Sequence, residues 1–407
     1  MASSDRYRPY YLADNPFPAD PALIINHPDR RYNGSIFNEE LFAAELDLLN
    51  KLLQRRMNLV YCQNQSEFVR GIGKSAIAAR MFRRLREANG DATAIYIRAQ
   101  KGQTPAALSR LVVGEWHRDG ALWRAVAQCV ELYAVEADAP AIRPDGAGML
   151  ARQKWPVDRV DLRSFLVYNP VRLVNSVTDW ACRTAPNLSP EIAEVFFQTY
   201  LSVPREFLTA YPKTLRKMKA DEIEMLRNAV VLMGLGGYTY HYLFFDQFEE
   251  VVSGTRGRDL MKIAAEMRRL LEVGLGLVSI VVTLHPGAII SLQAPEGQEL
   301  LTLAPLDTRH CVDVRSLSAA DAQALAITYL KEFRTGEPGT PLFPLTPESI
   351  TRIHEVAEGN AREVLRGFNL AIEEGADAGH PLITLEFLHA KHAEITGRIS
   401  PNRISLA

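Results

Sequence analysis

Two short runs of the chain are apolar throughout, without alternating apolar and polar residues. They read YHYLFF at Tyr240–Phe245 and VSIVVTL at Val278–Leu284. Continuous apolar runs are typical of central parallel strands, because such strands are buried on both faces of a sheet. Between them, Arg258–Val273 is predicted to be a helix. The alternation of strand and helix predicts an α/β fold with a parallel sheet.

Two earlier runs extend this alternation. Asn58–Cys62 (NLVYC) and Ala92–Arg98 (ATAIYIR) are predicted to be strands, since both are short and mostly apolar. Ala76–Ala88 lies between them and carries apolar residues at helical spacing, so it is predicted to be an amphipathic helix. Thr104–Tyr133 is predicted to be helical. These elements indicate a parallel sheet with helices on both faces.

The C-terminal part of the chain has helical patterns with no strand between them. The predicted helices are Ser318–Phe333, Pro347–Ala357, Ala361–Glu374 and Leu385–Glu394. Ser318, Thr346 and Thr384 each stand where an N-cap is expected, because their hydroxyls accept from the first free N–H groups of a helix. The chain is therefore divided into an extended N-terminal arm at 1–35, a core at 36–315, a helical domain at 316–396 and a tail at 397–407.

The overall charge is close to balanced. The 407 residues include 46 Lys and Arg against 48 Asp and Glu, a net charge of −2, which excludes a broadly basic coat for nucleic acid.

The four cysteines stand apart, with no CxxC pair, and favour a reducing compartment over a disulfide or zinc framework. No apolar leader or run of about 20 apolar residues is present, so we expect a cytoplasmic protein without membrane partners.

A glycine-rich segment, GIGKS at Gly71–Ser75, lies between the first predicted strand and its helix. Glycines let backbone N–H groups turn inward around phosphates, and the helix N-terminus adds its dipole. Lys74 would reach the phosphates, and the Ser75 hydroxyl would ligate Mg²⁺. The GxxxxGK[ST] pattern has a glycine where this chain has Phe68. The segment is either a nucleotide-binding loop or an ordinary turn that opens a helix.

An acidic segment, DQFEE, follows the YHYLFF run. A carboxylate at the end of an apolar strand is how a phosphate-loop enzyme places an acid beside Mg²⁺, which predicts that role for Asp246. The usual next residue is a glutamate that activates water, whereas this chain has Gln247. Glutamine orients water but cannot take its proton, so hydrolysis is either slow or uses Glu249 or Glu250. The alternative is a core strand that ends in an acidic surface turn.

Two further polar residues stand where they could contact a nucleotide. Thr283 ends the VSIVVTL run, beside the strand that carries Asp246, and could contact the γ-phosphate or the attacking water. Arg362 lies one residue into a helix of the C-terminal domain and could make charge-assisted contacts with the phosphates. The alternatives are a solvent-facing threonine and a solvated helix arginine.

Taken in order, GIGKS, FFDQFEE, a strand that ends in threonine and the phrase GNAREVLRGFNLAI resemble an AAA+ P-loop ATPase. The similarity is to origin-recognition-type and STAND-type NTPases, and it covers roughly residues 15–100 and 225–396. The N-terminal NPF and NGSIFNEEL segments resemble the adenine-contacting box of the same group. The resemblance implies a five-stranded parallel sheet, a C-terminal helical lid, and ATP with Mg²⁺ in the cleft between them.

The resemblance also implies roles for individual residues. The implied nucleotide-binding residues are Gly71, Ile72, Gly73, Lys74, Ser75 and Ala76, with Ile36 and Phe37 beside the adenine. The implied metal-side residues are Ser75 and Asp246. The implied catalytic residues are Asp246, Gln247, Glu249, Thr283 and Arg362.

The two main motifs, at Lys74 and Asp246, lie further apart than a compact core needs. The excess predicts a large helical insertion at about 114–236, which contains every tryptophan of the chain. We expect an ATPase that drives assembly or remodelling of a complex with separately encoded protein partners, as a homo-oligomer or as a subunit of a hetero-complex. The alternative is a weakly hydrolysing, ATP-dependent switch or scaffold in a DNA-transaction or anti-phage defence system. The acidic balance makes DNA a weaker candidate partner than protein.

Overall fold

A parallel sheet of five strands lies at the centre of the chain. The computed structural model describes residues 5–64, 71–88, 90–136, 170–202, 221–252, 258–273, 276–284 and 309–399. Its strands are β1 (Leu59–Gln63), β2 (Ala92–Arg98), β3 (Tyr240–Asp246), β4 (Val278–Thr283) and β5 (Cys311–Asp313). They are hydrogen-bonded in the order β2-β3-β4-β1-β5. The predicted α/β fold class with a parallel sheet is therefore confirmed.

The helices precede, separate and follow the strands. Those up to β3 are α1 (Arg30–Asn33), α2 (Ala43–Gln54), α3 (Lys74–Glu87), α4 (Pro105–Arg118), α5 (Ala121–Glu136), α6 (Pro170–Thr184), α7 (Pro190–Ser202) and α8 (Glu222–Leu235). Those after β3 are α9 (Glu249–Val252), α10 (Arg258–Val273), α11 (Ala319–Glu332), α12 (Pro347–Val356), α13 (Ala361–Asp377) and α14 (Leu385–Ala390). Short 3₁₀ segments lie at Asp5–Tyr10, Glu40–Phe42 and Thr396–Arg398. No described helix has both the length and the apolar character to cross a bilayer.

The sheet separates two hydrophobic cores. Successive side chains of a strand point to opposite faces, so Leu243 and Phe245 enter one core and Phe244 enters the other. The first core contains the helices between β2 and β4, and the second contains α2, α3, the N-terminal residues and the C-terminal helices. Both faces of β3 and β4 are covered, which explains why their sequences are apolar without interruption.

The segment Thr104–Tyr133, predicted to be helical, consists of two helices in the structure. The helix α4 ends at Arg118, and α5 begins at Ala121. Gly120 takes a left-handed conformation (φ 78°), and the Asp119 carboxylate accepts from the Ala121 N–H, which together stop one helix and start the next. Residue 114, the predicted start of the insertion, lies inside α4 rather than at the beginning of a helix.

The helices between β2 and β3 pack directly on the sheet. Trp116 of α4 is fully buried, and its indole N–H donates to the Thr93 hydroxyl of β2. The same indole lies 4.9 Å from the ring of His241 in β3. The helical layer is therefore part of the core that holds the edge strand β2 in place.

The C-terminal domain consists of the predicted helices, and its caps are those the sequence indicates. Ser318 and Thr346 form reciprocal capping boxes at the starts of α11 and α12, and Thr384 caps α14. Asn360 caps α13, where its side chain accepts from the N–H groups of residues 362 and 363. The helix α14 ends at Ala390, earlier than predicted. We call this unit, residues 316–396, the lid.

The N-terminal residues pack against the lid. Tyr7, Tyr10 and Phe17 are buried, because the aromatic rings cover the apolar side of α13. The Tyr10 hydroxyl donates to the His380 carbonyl at 2.5 Å. Asn15 donates to the Asn369 carbonyl at 3.1 Å. From there the chain continues to the edge of a pocket between the sheet and the lid.

Candidate functional site

A pocket lies at the carboxyl ends of β3 and β4, between the core and the lid. In parallel sheets this end is where ligands bind. Among the sequence-predicted site residues, those that line it are Ile36, Phe37, Gly71, Ile72, Gly73, Lys74, Ser75, Ala76, Gln247, Glu249, Thr283 and Arg362. Asp246 lies behind Ser75 and Thr283 and is only 2% exposed. The structure therefore brings residues from five separate parts of the chain to one cavity.

The glycine segment enters α3 with the geometry of an anion-binding loop. Gly71 has a φ of 88° and Gly73 a φ of 113°, and both conformations favour glycine. Gly73 is the N-cap of α3, and Lys74 is its first residue. The first N–H groups of a helix have no partner within the helix and carry a partial positive charge, so they attract anions. Phe68, the departure from the usual pattern, lies outside the described residues.

Two hydroxyl groups donate hydrogen bonds to Asp246. The Ser75 hydroxyl and the Thr283 hydroxyl both donate to Asp246 Oδ1, each at 2.7 Å. Thr283 Oγ1 also accepts from the backbone N–H of Gln247 at 2.7 Å. The proton of the Thr283 hydroxyl is therefore used in the hydrogen bond to Asp246. Contact of Thr283 with a γ-phosphate, as predicted, would require its hydroxyl to turn its proton away from Asp246, whereas contact with the attacking water could use the oxygen as an acceptor.

Lys74 is partly buried and faces the negative charges of two carboxylates. Burial lowers the pKa of Lys74 to about 8, and the negative charges of Glu249 and Asp246 oppose that effect. The positive charge of Arg362, across the pocket, lowers the pKa further. An anionic ligand between Lys74 and Arg362 would reverse this repulsion and favour the charged ammonium. The Glu249 and Asp246 carboxylates offset this repulsion only in part, since the pKa of Lys74 stays below its usual value.

Arg362 lies opposite the glycine loop, at the start of α13. Its guanidinium Nε is buried and has no hydrogen-bond partner in the part of the chain that the structure describes. A buried donor without a partner costs roughly 1–3 kcal/mol, so its presence indicates a missing acceptor. Arg362 lines the pocket, and a phosphate oxygen is an acceptor that suits a guanidinium.

Two residues of β2 reach the site, and sequence reasoning did not identify either. The side chain of Arg98 donates from Nε to Gln247 Oε1 at 2.8 Å. The Tyr96 hydroxyl donates to the Ser75 carbonyl oxygen at 3.5 Å, and burial, with the negative charge of Asp246, raises the pKa of Tyr96 well above its usual value. Both contacts arise because β2 pairs in parallel with β3, opposite Phe244 and Asp246. The sequence carries no local signal for this pairing.

Part of the pocket lining is apolar. Ile36 and Phe37 contribute to it with Phe42 and with Leu325 and Tyr329 of the lid. The rings of Phe37 and Phe42 are 5.5 Å apart, and a Cβ on Gly73 would stand 3.3 Å from the edge of the Phe42 ring. The pocket thus has both cationic and apolar lining residues, which suit a ligand with phosphates and a flat base.

The donor set fits a magnesium ion shared with phosphate. No group of three or more His, Cys, Asp and Glu side chains that could hold a metal occurs among the described residues. Mg²⁺ needs few protein ligands, because it keeps several waters and binds substrate phosphates. The Ser75 hydroxyl donates its proton to Asp246, which leaves its oxygen lone pairs available at the pocket wall.

Comparison with known proteins yields structural neighbours only. No protein-family model matches the chain, and no curated protein matches it in sequence. The ORC2 protein of Aeropyrum pernix, solved as ADPNP–ADP complexes, has a TM-score of 0.42 and 12% identity, covering 94% of this chain and 70% of that chain. The A. pernix ORC1 protein in complex with DNA has a TM-score of 0.42 and 14% identity, covering 90% and 67%. The ADP form of A. pernix ORC2 has a TM-score of 0.41 and 12% identity, covering 95% and 72%.

Proposed function

We propose that the chain is an AAA+ type ATPase, similar to origin-recognition and STAND NTPases, that binds ATP with Mg²⁺ in this pocket. The observation that carries the proposal is that Lys74 and Arg362 line the same pocket and repel each other, while the buried guanidinium Nε of Arg362 has no hydrogen-bond partner within the part of the chain that the structure describes. A nucleotide triphosphate would supply the missing acceptor and offset the repulsion between the two cations. The apolar lining formed by Ile36 and Phe37 would hold the adenine.

Each residue has a distinct task in this proposal. The backbone N–H groups of 71–76 would hold the phosphates, with Lys74 and Arg362 as the charged contacts. Ser75 would ligate Mg²⁺ directly, and Asp246 would act through its hydrogen bond with the Ser75 hydroxyl. The ion would neutralise charge that develops on the phosphate oxygens. Thr283 would orient Asp246 through its hydroxyl.

The hydrolytic water would be oriented by Gln247 and deprotonated by Glu249. Both residues line the pocket, and Glu249 is the carboxylate with the largest favourable effect on the charge of Lys74. Gln247 has a left-handed backbone conformation (φ 56°), and Arg98 holds its side-chain carbonyl. A glutamine cannot accept the proton, so the base must come from another residue.

The biological role proposed for the ATPase is assembly or remodelling of a partner protein complex, as a homo-oligomer or as a subunit of a hetero-complex. The resemblance to origin-recognition-type and STAND-type NTPases and the nearly balanced charge support protein partners. The second candidate is a weakly hydrolysing switch in a DNA-transaction or anti-phage defence system. Gln247 at the position of the usual catalytic acid is the observation that favours it.

Nucleotide binding can be tested with a fluorescent ATP analogue. We expect Lys74→Ala to reduce affinity by about a hundredfold, because a buried charge-assisted phosphate contact is lost. Lys331→Ala is the matched control, since Lys331 is an exposed lysine of α11 outside the pocket. Equal affinity of the Lys74 variant and the wild-type protein would contradict the proposed site.

Hydrolysis and assembly need separate measurements. Single-turnover and steady-state assays of Glu249→Gln and Gln247→Glu distinguish the two candidates. An ATPase loses turnover with Glu249→Gln, whereas a switch binds ATP without hydrolysis and gains turnover with Gln247→Glu.

A rise in mass with a non-hydrolysable ATP analogue would support assembly. ATP-dependent, salt-sensitive DNA binding would support the DNA-associated role, and its absence at low salt would exclude it.

A further inference from the structure

Tyr329 is a buried tyrosine of the lid that lines the pocket. It lies in α11, four residues after Leu325, which also lines the pocket, so the two side chains share one face of the helix. Only 7% of Tyr329 is exposed. This face of α11 therefore forms part of the wall that the lid gives to the pocket.

The Tyr329 hydroxyl makes no hydrogen bond with any residue that the structure describes. Two buried tyrosines that pack against the lid behave differently. The Tyr7 hydroxyl donates to Glu373 at 2.5 Å. The Tyr10 hydroxyl donates to the His380 carbonyl at the same distance. A buried tyrosine usually finds a partner for its hydroxyl, so a buried tyrosine that lines a pocket and has none indicates a partner supplied by a ligand.

The ring of Tyr329 is held by the N-terminal residues. The ring of Phe17, which is fully buried, stacks on it with centroids 5.8 Å apart and planes 28° apart. Phe17 is itself fixed, because its ring lies 5.1 Å from that of Phe368 and its carbonyl accepts from the Asn369 side chain at 2.7 Å. A ring packed in this way keeps its hydroxyl in one position, as a recognition group requires.

The surroundings of Tyr329 contain other polar side chains, but these are engaged within the chain. Three polar side chains of the N-terminal part line the pocket and each makes a hydrogen bond to another residue, namely Arg31, Tyr32 and Asn38. Thr328, next to Tyr329, is the residue to which Asn38 donates, at 3.0 Å. The apolar lining residues Ile36, Phe37, Phe42 and Leu325 have no polar side-chain atom. Among the described residues, the Tyr329 hydroxyl is therefore a donor left for the part of a ligand that lies against this lining.

We propose that Tyr329 is a specificity-determining residue whose hydroxyl donates a hydrogen bond to the nucleoside part of the bound nucleotide. The inference rests on the proposed function, because it needs a nucleotide whose base lies against the apolar lining. Ring nitrogens of the base and oxygens of the ribose are the acceptors on that part, whereas the glycine loop holds the phosphates. A site with such a donor favours a ligand that carries the acceptor, since a ligand without it leaves the donor unpaired. Tyr329 would thus select a nucleoside triphosphate over an inorganic polyphosphate.

The test compares ATP with inorganic tripolyphosphate, each in competition with a fluorescent ATP analogue. The variant is Tyr329→Phe, which removes only the hydroxyl. We expect its affinity for ATP to fall about fivefold, as for the loss of one neutral hydrogen bond, and its affinity for tripolyphosphate to stay unchanged. Tyr10→Phe is the matched control. Its hydroxyl donates to His380 and neither residue lines the pocket, so this variant should keep the wild-type affinity for ATP.

Two deoxy analogues locate the acceptor. If a ribose hydroxyl accepts the bond, 2′-deoxy-ATP or 3′-deoxy-ATP should bind equally to the wild-type protein and to Tyr329→Phe. If the base accepts it, both analogues should show the same loss in the variant as ATP does. Either result supports the donor role of Tyr329, whereas equal binding of ATP and both analogues to the two proteins would overturn it.

A second measurement needs no nucleotide. Urea unfolding of ligand-free Tyr329→Phe should give the wild-type midpoint, because no hydrogen bond to a described residue is lost. Tyr10→Phe should lower the midpoint, because its hydrogen bond to His380 is lost. An equal fall in both variants would show that the Tyr329 hydroxyl has a partner in the protein and would overturn the inference.

The remaining outcomes separate the inference from the function on which it rests. Equal losses of affinity for ATP and tripolyphosphate in Tyr329→Phe would overturn the inference, since they indicate a general effect on the lid. Wild-type affinity for ATP in that variant would also overturn it and leave nucleotide binding intact. Failure of the wild-type protein to bind ATP would overturn the proposed function and the inference with it.

Discussion

The carbonyl oxygen of Gly71 accepts a hydrogen bond of 2.9 Å from the backbone N–H of Arg362. The glycine loop and the lid therefore meet through main-chain atoms, independently of the arginine side chain. The contact is close: a Cβ on Gly71 would stand 2.7 Å from Arg362 Cβ and 2.7 Å from Asn360 Oδ1. Glycine is therefore needed at position 71 for two reasons, which are its left-handed backbone conformation and the lack of space for a Cβ beside the lid.

Gly71→Ala should separate the lid from the loop. The left-handed conformation alone costs an alanine about 1–2 kcal/mol. The overlap with the first turn of α13 should add a further ~1–3 kcal/mol, or reduce nucleotide affinity if the lid moves away instead. Gly102→Ala is the control, because Gly102 has a similar φ of 82° and an added Cβ would meet no atom within 4 Å. Urea unfolding and nucleotide titration of both variants measure the difference, and equal effects would contradict the proposed crowding.

Arg362→Met should weaken ATP binding without weakening the fold. In the absence of ligand the substitution removes a buried donor that has no partner among the described residues, so we expect unfolding free energy to stay level or rise by about 1 kcal/mol. Nucleotide affinity should fall at least about tenfold, because a charge-assisted phosphate contact is lost. Arg366→Met, one turn along α13, removes an arginine that is paired with Glu363 at 3.8 Å and is the matched control. A large loss of stability with Arg362→Met would indicate a structural role instead.

His241 should make the fold sensitive to acid. Burial lowers the pKa of His241 to about 3, whereas the unfolded chain takes up this proton near pH 6.5. The folded state therefore binds fewer protons between these values, and stability falls as the pH drops from about 6.5 toward 3, by about 1.4 kcal/mol per pH unit. At higher pH the contribution is fully present.

Removal of the imidazole should flatten this dependence. We expect His241→Phe to show a smaller slope of unfolding free energy against pH between about pH 6 and 4, despite a lower stability from its lost contact with Thr93. His389→Gln, at an exposed position of α14, is the control that keeps the wild-type slope. The same slope in all three proteins would show that His241 does not set the acid sensitivity.

The attachment of the N-terminal residues to the lid should depend on Asn15 rather than on Arg6. Asn15 is buried, and its side-chain N–H groups donate to the Asn369 carbonyl and, at 2.7 Å, to Glu373. We expect Asn15→Ala to cost roughly 1.5–3 kcal/mol, because a buried network that includes a charged acceptor is broken. Arg6→Ala breaks a partly exposed ion pair with Glu373 and should cost about 0.5 kcal/mol or less. Chemical unfolding compares them, and an equal cost would contradict the assignment.

Strong local signals explain what could be predicted from the sequence. β3 and β4 are apolar on both faces, so their runs indicate central strands without knowledge of their neighbours. The capped starts of α11 and α12 are equally local, since a hydroxyl and the backbone three residues later suffice. The Gly71–Ser75 and Asp246 motifs are short patterns of the same kind, and the structure places them in one cavity.

Weak or distant signals explain what was missed. β5 has three residues at the edge of the sheet, too few to give a pattern. The break between α4 and α5 depends on one left-handed glycine inside a sequence that otherwise reads as helical. Tyr96 and Arg98 reach the site only because β2 pairs with β3 across the long helical segment, and that pairing is decided by tertiary packing.

The division of the fold into two cores has a consequence for how such a chain can change over generations. The helical layer between β2 and β3 packs on one face of the sheet, while the glycine loop, α3 and the lid pack on the other. β2 and β3 are parallel neighbours, so the long segment between them begins at the carboxyl end of β2 and ends at the amino end of β3. Mutations that reshape the outer surface of that layer leave the opposite face unaltered. Substitutions on that outer surface could therefore accumulate under selection while the residues of the pocket stay the same.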